Sequence, residues 1–118
     1  MIATFIVARQ PFFTLPQAIK QPSNVDGSLI QLVEASRRGE DPEAFAKAHG
    51  IYVKGAMVRV VMELRNEGGS SPSGYGIIIE TTQGKYVQAL IPVEKIYEIA
   101  DSPQIVYIGL PGEPVSSS

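Results

Sequence analysis

The sequence predicts an α+β sandwich, with one mixed, mainly antiparallel sheet and helices on one face. Three observations carry this. The run MVRVVMELR at 57–65 alternates apolar and polar residues, the period of a half-buried strand. Two short segments, 28–38 and 42–49, combine an apolar stripe with helix start and stop residues. The stretch 85–109, KYVQALIPVEKIYEIADSPQIVYIG, reads as strand, short helix, strand. The expected order is β-α-α-β-β-β-α-β, forming one domain over 1–109 with a flexible tail at 110–118.

Taken in order, IATFIVA at 2–8 is apolar and partly β-branched, which predicts a strand buried on both faces. Pro11, Pro16 and Pro22 then forbid a regular ladder or helix, so 10–27 is a proline-rich connecting arm. It carries Phe12, Phe13 and Leu15, which need burial against the chain's own core, a second copy or a partner. In 28–38, Ser28 and Gln31 form a capping-box pair, Leu29, Leu32 and Val33 share a face, and Gly39 supplies the stop. A second helix opens at Asp41 as N-cap, with Pro42 at N1 and Glu43 near the positive dipole end, and Gly50 closes it. Phe45, Ala48 and His49 fall at i, i+3 and i+4, so they are expected on one face.

Within 57–65, Val58, Val60, Met62 and Leu64 point one way and Arg59, Glu63 and Arg65 the other, with Val61 an apolar exception among the polar residues. NEGGSSPSG at 66–74 is a polar, mobile loop by composition. A β-branched strand at 75–82 turns at Gln83-Gly84 into a strand at 85–91. Pro92 starts a short helix whose stripe is Val93, Ile96, Tyr97 and Ala100, and Ser102-Pro103 stops it. The last strand, QIVYIGL, should return by a crossover and lie parallel to 85–91 in the same sheet. The far face of that sheet would carry Arg59, Glu63, Arg65 and Glu80, partly polar and suited to a partner.

Composition excludes several function classes. The chain has 118 residues, enough for one core, with 44% hydrophobic residues. With no cysteine there is no disulfide, thiolate metal site or cysteine nucleophile. The net charge is −2, and Arg37-Arg38 is interleaved with Glu34, Glu40, Asp41 and Glu43, so no basic stripe accompanies the aromatic residues and no nucleic-acid partner is expected. The start, MIATFIVARQPFF, has no basic leader, and its apolar run is broken by Thr4 and ended by Arg9. It reads as neither signal peptide nor membrane span, so the expectation is a cytoplasmic protein without membrane insertion.

Candidate chemistry is sparse. His49 is the single imidazole and sits at a helix end, where a protonated ring complements carbonyls; a ligand or base role is the lesser reading. A zinc site would have to recruit carboxylates or a symmetric partner. Glu94 and Glu98 are four apart beside Lys95, the pattern of a solvated helix face. GGSSPSGYG has no lysine and opens no helix, so it is neither a P-loop nor a dinucleotide fingerprint. No catalytic, cofactor or metal residue is therefore expected.

The segment 88–108, QALIPVEKIYEIADSPQIVYI, resembles the closing strand–helix–strand of propeptides from subtilisin-like serine proteases. The matching residues are Val87 to Ile91 by number (87–91), Pro92, the stripe Val93, Ile96 and Ala100, then Ser102-Pro103 and the strand 106–108. AFAKAHGIYVKGAMVRVVMEL at 44–64 is similar to the opening helix and strand of related stand-alone domains in surface-associated prokaryotic proteins. The resemblance implies a ferredoxin-like sandwich whose outer sheet face packs on a protease and whose last residues, here 110–115, enter its active site. In that pattern a helix joins the first two strands, whereas here 66–74 is short and glycine-rich and the helices precede Met57. Pro111 and Pro114 also remove donors that such a strand would use.

Three readings of function follow. The first is a small non-catalytic protein-binding or self-assembly module, associating with itself or another protein through the sheet edge, the Phe12/Phe13/Leu15 arm or the face of Arg59, Val61, Glu63 and Arg65. The second is a propeptide-like inhibitor or chaperone domain. The third is an enzyme subunit using carboxylates and His49.

Overall fold

A computed structural model describes residues 21–112 of the chain. The expected strand at 2–8, the arm residues Phe12, Phe13 and Leu15, and the tail from 113 lie outside the described residues.

Helix α1 spans Gly27–Arg37 and α2 spans Pro42–Ala48. The cap of α1 is Asp26, whose Oδ1 accepts from the Ser28 N–H at 2.8 Å, so the helix starts one residue before the expected Ser28 cap. An Asp side chain reaches the second free amide directly and leaves Ser28 inside the first turn. Gly39, with φ of 90°, stops α1 as expected. In α2, Asp41 and Pro42 hold their expected places, but the expected face is corrected. Phe45 and His49 do stack, while Ala48 is exposed and Ala46 is the buried residue. Ala46 is the fully buried residue of these seven, with half-buried Phe45 packed against the core beside it, and the Ala46 carbonyl also accepts from the Ile51 N–H at 2.9 Å.

Five strands form the sheet: β1 (Val53–Lys54), β2 (Met57–Leu64), β3 (Ile78–Gln83), β4 (Tyr86–Pro92) and β5 (Ile105–Gly109). β1 was not expected from sequence, because two residues have no readable period; it folds back on β2 through Gly55, whose φ is 65°. Residues 75–77, expected in β3, instead precede it, with Tyr75 and Ile77 packed against the core. A 3₁₀ turn (Val93–Lys95) leads into α3 (Ile96–Ala100), which buries Ile96, Ile99 and Ala100.

β2 is the central strand. β4 pairs antiparallel along one side, with Val60 opposite Ala89. On the other side β1 lies beside its start and β5 beside its end, Met62 opposite Ile108, both antiparallel. β3 lies outside β4, also antiparallel. Two antiparallel steps make β4 and β5 parallel to each other around β2, as the strand–helix–strand reading expects. β2 and β3 are related in the same way around β4. The sheet thus interleaves two split crossovers, of which only the second, 93–104, contains a helix. The ferredoxin-like pattern has a helix in both, so this α+β sandwich is a related arrangement.

The even positions of β2, Val58, Val60, Met62 and Leu64, meet Leu29, Leu32 and Val33 of α1 and Ile96 and Ile99 of α3 in one buried cluster. Each fully buried aliphatic side chain contributes roughly 1.5–3 kcal/mol. Polar clamps close the layer. Tyr97 Oη donates to Glu34 Oε2 at 2.7 Å, joining α3 to α1, and Asn24 Nδ2 donates to the Ala100 carbonyl at 3.0 Å. Burial first, then the Glu34 hydrogen bond, pushes the Tyr97 phenol well above its usual range. Val25 makes an isolated parallel bridge to Ile108, which occupies the free edge of β5 there. The loop 66–74, expected to be mobile, is anchored by buried Pro72 and by Gln104 Nε2 donating to the Ser70 carbonyl at 2.9 Å.

Candidate functional site

Because strand side chains alternate, packing the even residues of β2 under the helices turns Arg59, Val61 and Glu63 to the opposite face. Among the described residues no helix covers that face. Its rows follow the register: Arg59 beside Leu90 and Ile78, Val61 beside Gln88, and Glu63 between Tyr86 and Tyr107.

Arg59 and Glu80 form the best-defined group. Arg59 Nε and Nη2 donate to Glu80 Oε1 and Oε2 at 2.7 and 2.8 Å, a bidentate fork. The register of β3 against β4 shifts between Ile79 and Thr81, and this bulge lets the extra residue, Glu80, reach across β4. Gln88 Nε2 adds a third hydrogen bond to Glu80 at 3.2 Å, and the Arg59 guanidinium lies 4.2 Å from the centre of the Tyr52 ring. The Arg59 hydrogen bond, reinforced by Gln88, holds the Glu80 carboxyl below the usual carboxylate range, and Arg59 is raised in turn. The polar groups of this row are matched to one another.

Glu63 is different. The sequence places it on the solvent side of β2, and it is on that face, yet it is only 2% exposed. Its cross-strand neighbours are two tyrosines, whose bulk on both flanks shields a shorter side chain. Lys85 Nζ stands 3.3 Å from Oε2, while Oε1 is buried without any hydrogen-bond partner. The Tyr107 ring folds over Gly109, where an added Cβ would lie 2.9 Å from ring atom Cε2.

Arg65, expected on the same face, lies just past β2 at the rim. Its Nε donates to the Pro103 carbonyl at 2.7 Å, so it holds the α3–β5 connection and does not join the Arg59 group. With Asn66, Glu67, Gln83, Lys85 and Tyr86 it lines an open groove of about 940 Å³. His49 is engaged by its own helix: its Nδ1 lies 2.8 Å from the Phe45 carbonyl and its ring stacks on Phe45 with centroids 4.0 Å apart. A carbonyl only accepts, so Nδ1 carries the hydrogen in that bond. Glu94 and Glu98 are exposed, and Glu98 pairs with Lys95 at 3.7 Å. Among the described residues no group of three or more His, Asp or Glu is placed to hold a metal ion.

The outer edge of the sheet is β3, and all six of its residues are exposed. Ile78 and Ile79 are 54% and 47% exposed, and no strand among the described residues pairs with β3 beyond β4. Sequence reasoning missed Tyr52, Lys85, Tyr86 and the exposure of β3. The alternation of Tyr86, Gln88 and Leu90 against Val87, Ala89 and Ile91 was a usable signal for the face. No family model, curated protein or solved structure matches the chain, and no described helix is long and apolar enough to cross a membrane.

Proposed function

We propose that the chain is a non-catalytic binding module that self-associates by pairing β3 with β3 of a second copy. The observation that carries this is the exposed, unpaired β3 edge with Ile78 and Ile79 at its start. An edge of free backbone donors and acceptors is a template for another strand. A second copy is the occupant that the charges favour. Glu80 is the only charged residue in IIETTQ, and Arg59 of the same chain neutralises it, so two such strands meet without like-charge repulsion. The strand also lacks the lysine or proline that commonly guards an edge.

Sedimentation equilibrium of the full chain tests the reading. A concentration-dependent dimer is expected, and Ile79→Lys, which places a charge on the pairing strand, should return it to monomer. A wild type that stays monomeric over the range, or an Ile79→Lys variant that dimerises as the wild type does, would refute it.

A second reading keeps the helix-free face as a protease-binding surface. It is supported by the formed β4–α3–β5 unit, the segment that resembles subtilisin-type propeptides. Peptide hydrolysis by a subtilisin-like protease should then slow in the presence of the chain, and digestion of the chain without slowing sinks this reading. The third reading, a carboxylate and His49 enzyme subunit, has no comparable support, because the contacts of the His49 ring are with Phe45 and not with a carboxylate.

A further inference from the structure

We infer that Glu63 is the anchor of a recognition site for a guanidinium group, presented by an arginine side chain of a partner polypeptide. Glu63 is the one buried charged residue among the described residues, and its Oε1 accepts nothing. A carboxylate oxygen withdrawn from water without a donor is destabilising, and an arriving charged donor removes that deficit. The neighbouring row is matched within itself: Arg59 answers Glu80, and Gln88 completes it. Lys85 faces Oε2 only, so the unmet need at Glu63 is for a charged donor to Oε1.

The surroundings suit a planar one. Glu63 lies in register between Tyr86 and Tyr107, and an aromatic neighbour beside a carboxylate favours a guanidinium that can stack and donate in the same plane. Lys85, which covers Glu63 Oε2, and Tyr86, the cross-strand neighbour of Glu63, both line an open groove, so displacing the lysine is what would bring the buried carboxylate within a ligand's reach. Lys85 sits 3.3 Å from Oε2 with its side chain 43% exposed, at the β3–β4 turn, so it can swing outward as the ligand enters. Glu67 in the same groove adds negative charge, and Arg65 is engaged by the Pro103 carbonyl. The groove borders β3 only at its last residue, Gln83, whereas Ile78 and Ile79 lie at the other end of the strand, so Ile79→Lys tests self-association without touching Glu63.

The test is an NMR titration of the isotopically labelled full chain with N-acetyl-arginine amide, with N-acetyl-citrulline amide as the neutral isostere. Saturable shifts at Glu63, Lys85, Tyr86 and Tyr107 are expected with the arginine probe alone. Glu63→Gln should weaken binding about tenfold or more, as loss of a charge-assisted hydrogen bond requires. Lys85→Gln should strengthen it, because a competing ammonium is removed; a purely structural Glu63–Lys85 pair predicts no such gain. The inference fails if the probe produces no localised saturable shifts, if citrulline produces the same ones, or if Glu63→Gln binds equally. It also fails if Lys85→Gln abolishes binding, which would make the lysine the anchor. If Arg9→Gln alone shifts the Glu63 resonances and opens the site to the probe, the occupant is the chain's own arginine and the partner claim is overturned.

Discussion

The two sides of β2 solve the same packing problem in opposite ways. On the helix side, Val58, Val60 and Met62 are each fully buried, and the match is one of volume among aliphatic side chains. On the other side, Arg59 and Glu63 occupy equivalent positions in the same strand and are held by individual charged partners. Volume packing tolerates no gap but needs no direction. Charge pairing fixes direction and leaves room for another molecule wherever a partner is missing. The Arg59 row is complete and the Glu63 row is not, so the helix-free face is both a stable surface and an unfinished one.

The sharpest way to break this contrast is to truncate neighbours. Met62→Ala should destabilise the fold by about 2–5 kcal/mol in urea denaturation, whereas Val61→Ala, one residue away on the other face, should lose only about 1 kcal/mol. Equal losses would mean that the helix-free face is packed as a second core. Gly109→Ala sharpens the contrast from the other direction. The added methyl would meet the Tyr107 ring at 2.9 Å, so the ring must turn. A destabilisation of about 1–3 kcal/mol is expected, with altered Tyr107 ring resonances. An unchanged ring environment would show that the contact is not maintained in solution.

Titration probes the Arg59 row. A carboxyl whose folded value is depressed stabilises the fold above its unfolded value, about 4.3 for Glu, and that contribution is lost as pH falls through the lower folded value. The Glu80 side-chain carbon should therefore titrate below the ordinary Glu range and return toward it in Arg59→Gln. A midpoint unchanged by that substitution would remove the pair from the account. The smallest effect on stability belongs to Ile79→Lys: the residue is 47% exposed, so the monomer should change by no more than about 0.5 kcal/mol. A large loss would place Ile79 in the core and leave the edge without its apolar lure.

How much of this was legible depended on the length of the pattern. The eight-residue alternation of β2 and the stripe of Ile96, Tyr97 and Ala100 with its Pro103 stop are long enough to declare their faces, and the parallel placement of β4 and β5 follows from them. Asp26 is hard to read as the α1 cap because Ser28 and Gln31 satisfy the same local rule two residues later. β1 is two residues long and carries no period at all. The site was half legible. Arg59, Val61 and Glu63 share a face by parity alone, but the bulge that brings Glu80 to Arg59 breaks parity, and the burial of Glu63 depends on which strands flank β2. The same parity predicts Arg65 on the face, yet β2 ends one residue earlier and the side chain turns to Pro103.

Amide hydrogen exchange of β3 as a function of protein concentration tests the central claim most directly, because it reads the edge itself. Strand pairing between copies predicts that protection of 78–83 rises with concentration in the wild type and stays flat in Ile79→Lys, while β2 and β4 are protected equally in both. Protection of β3 that is independent of concentration, or that rises equally in the variant, would contradict assembly through this edge.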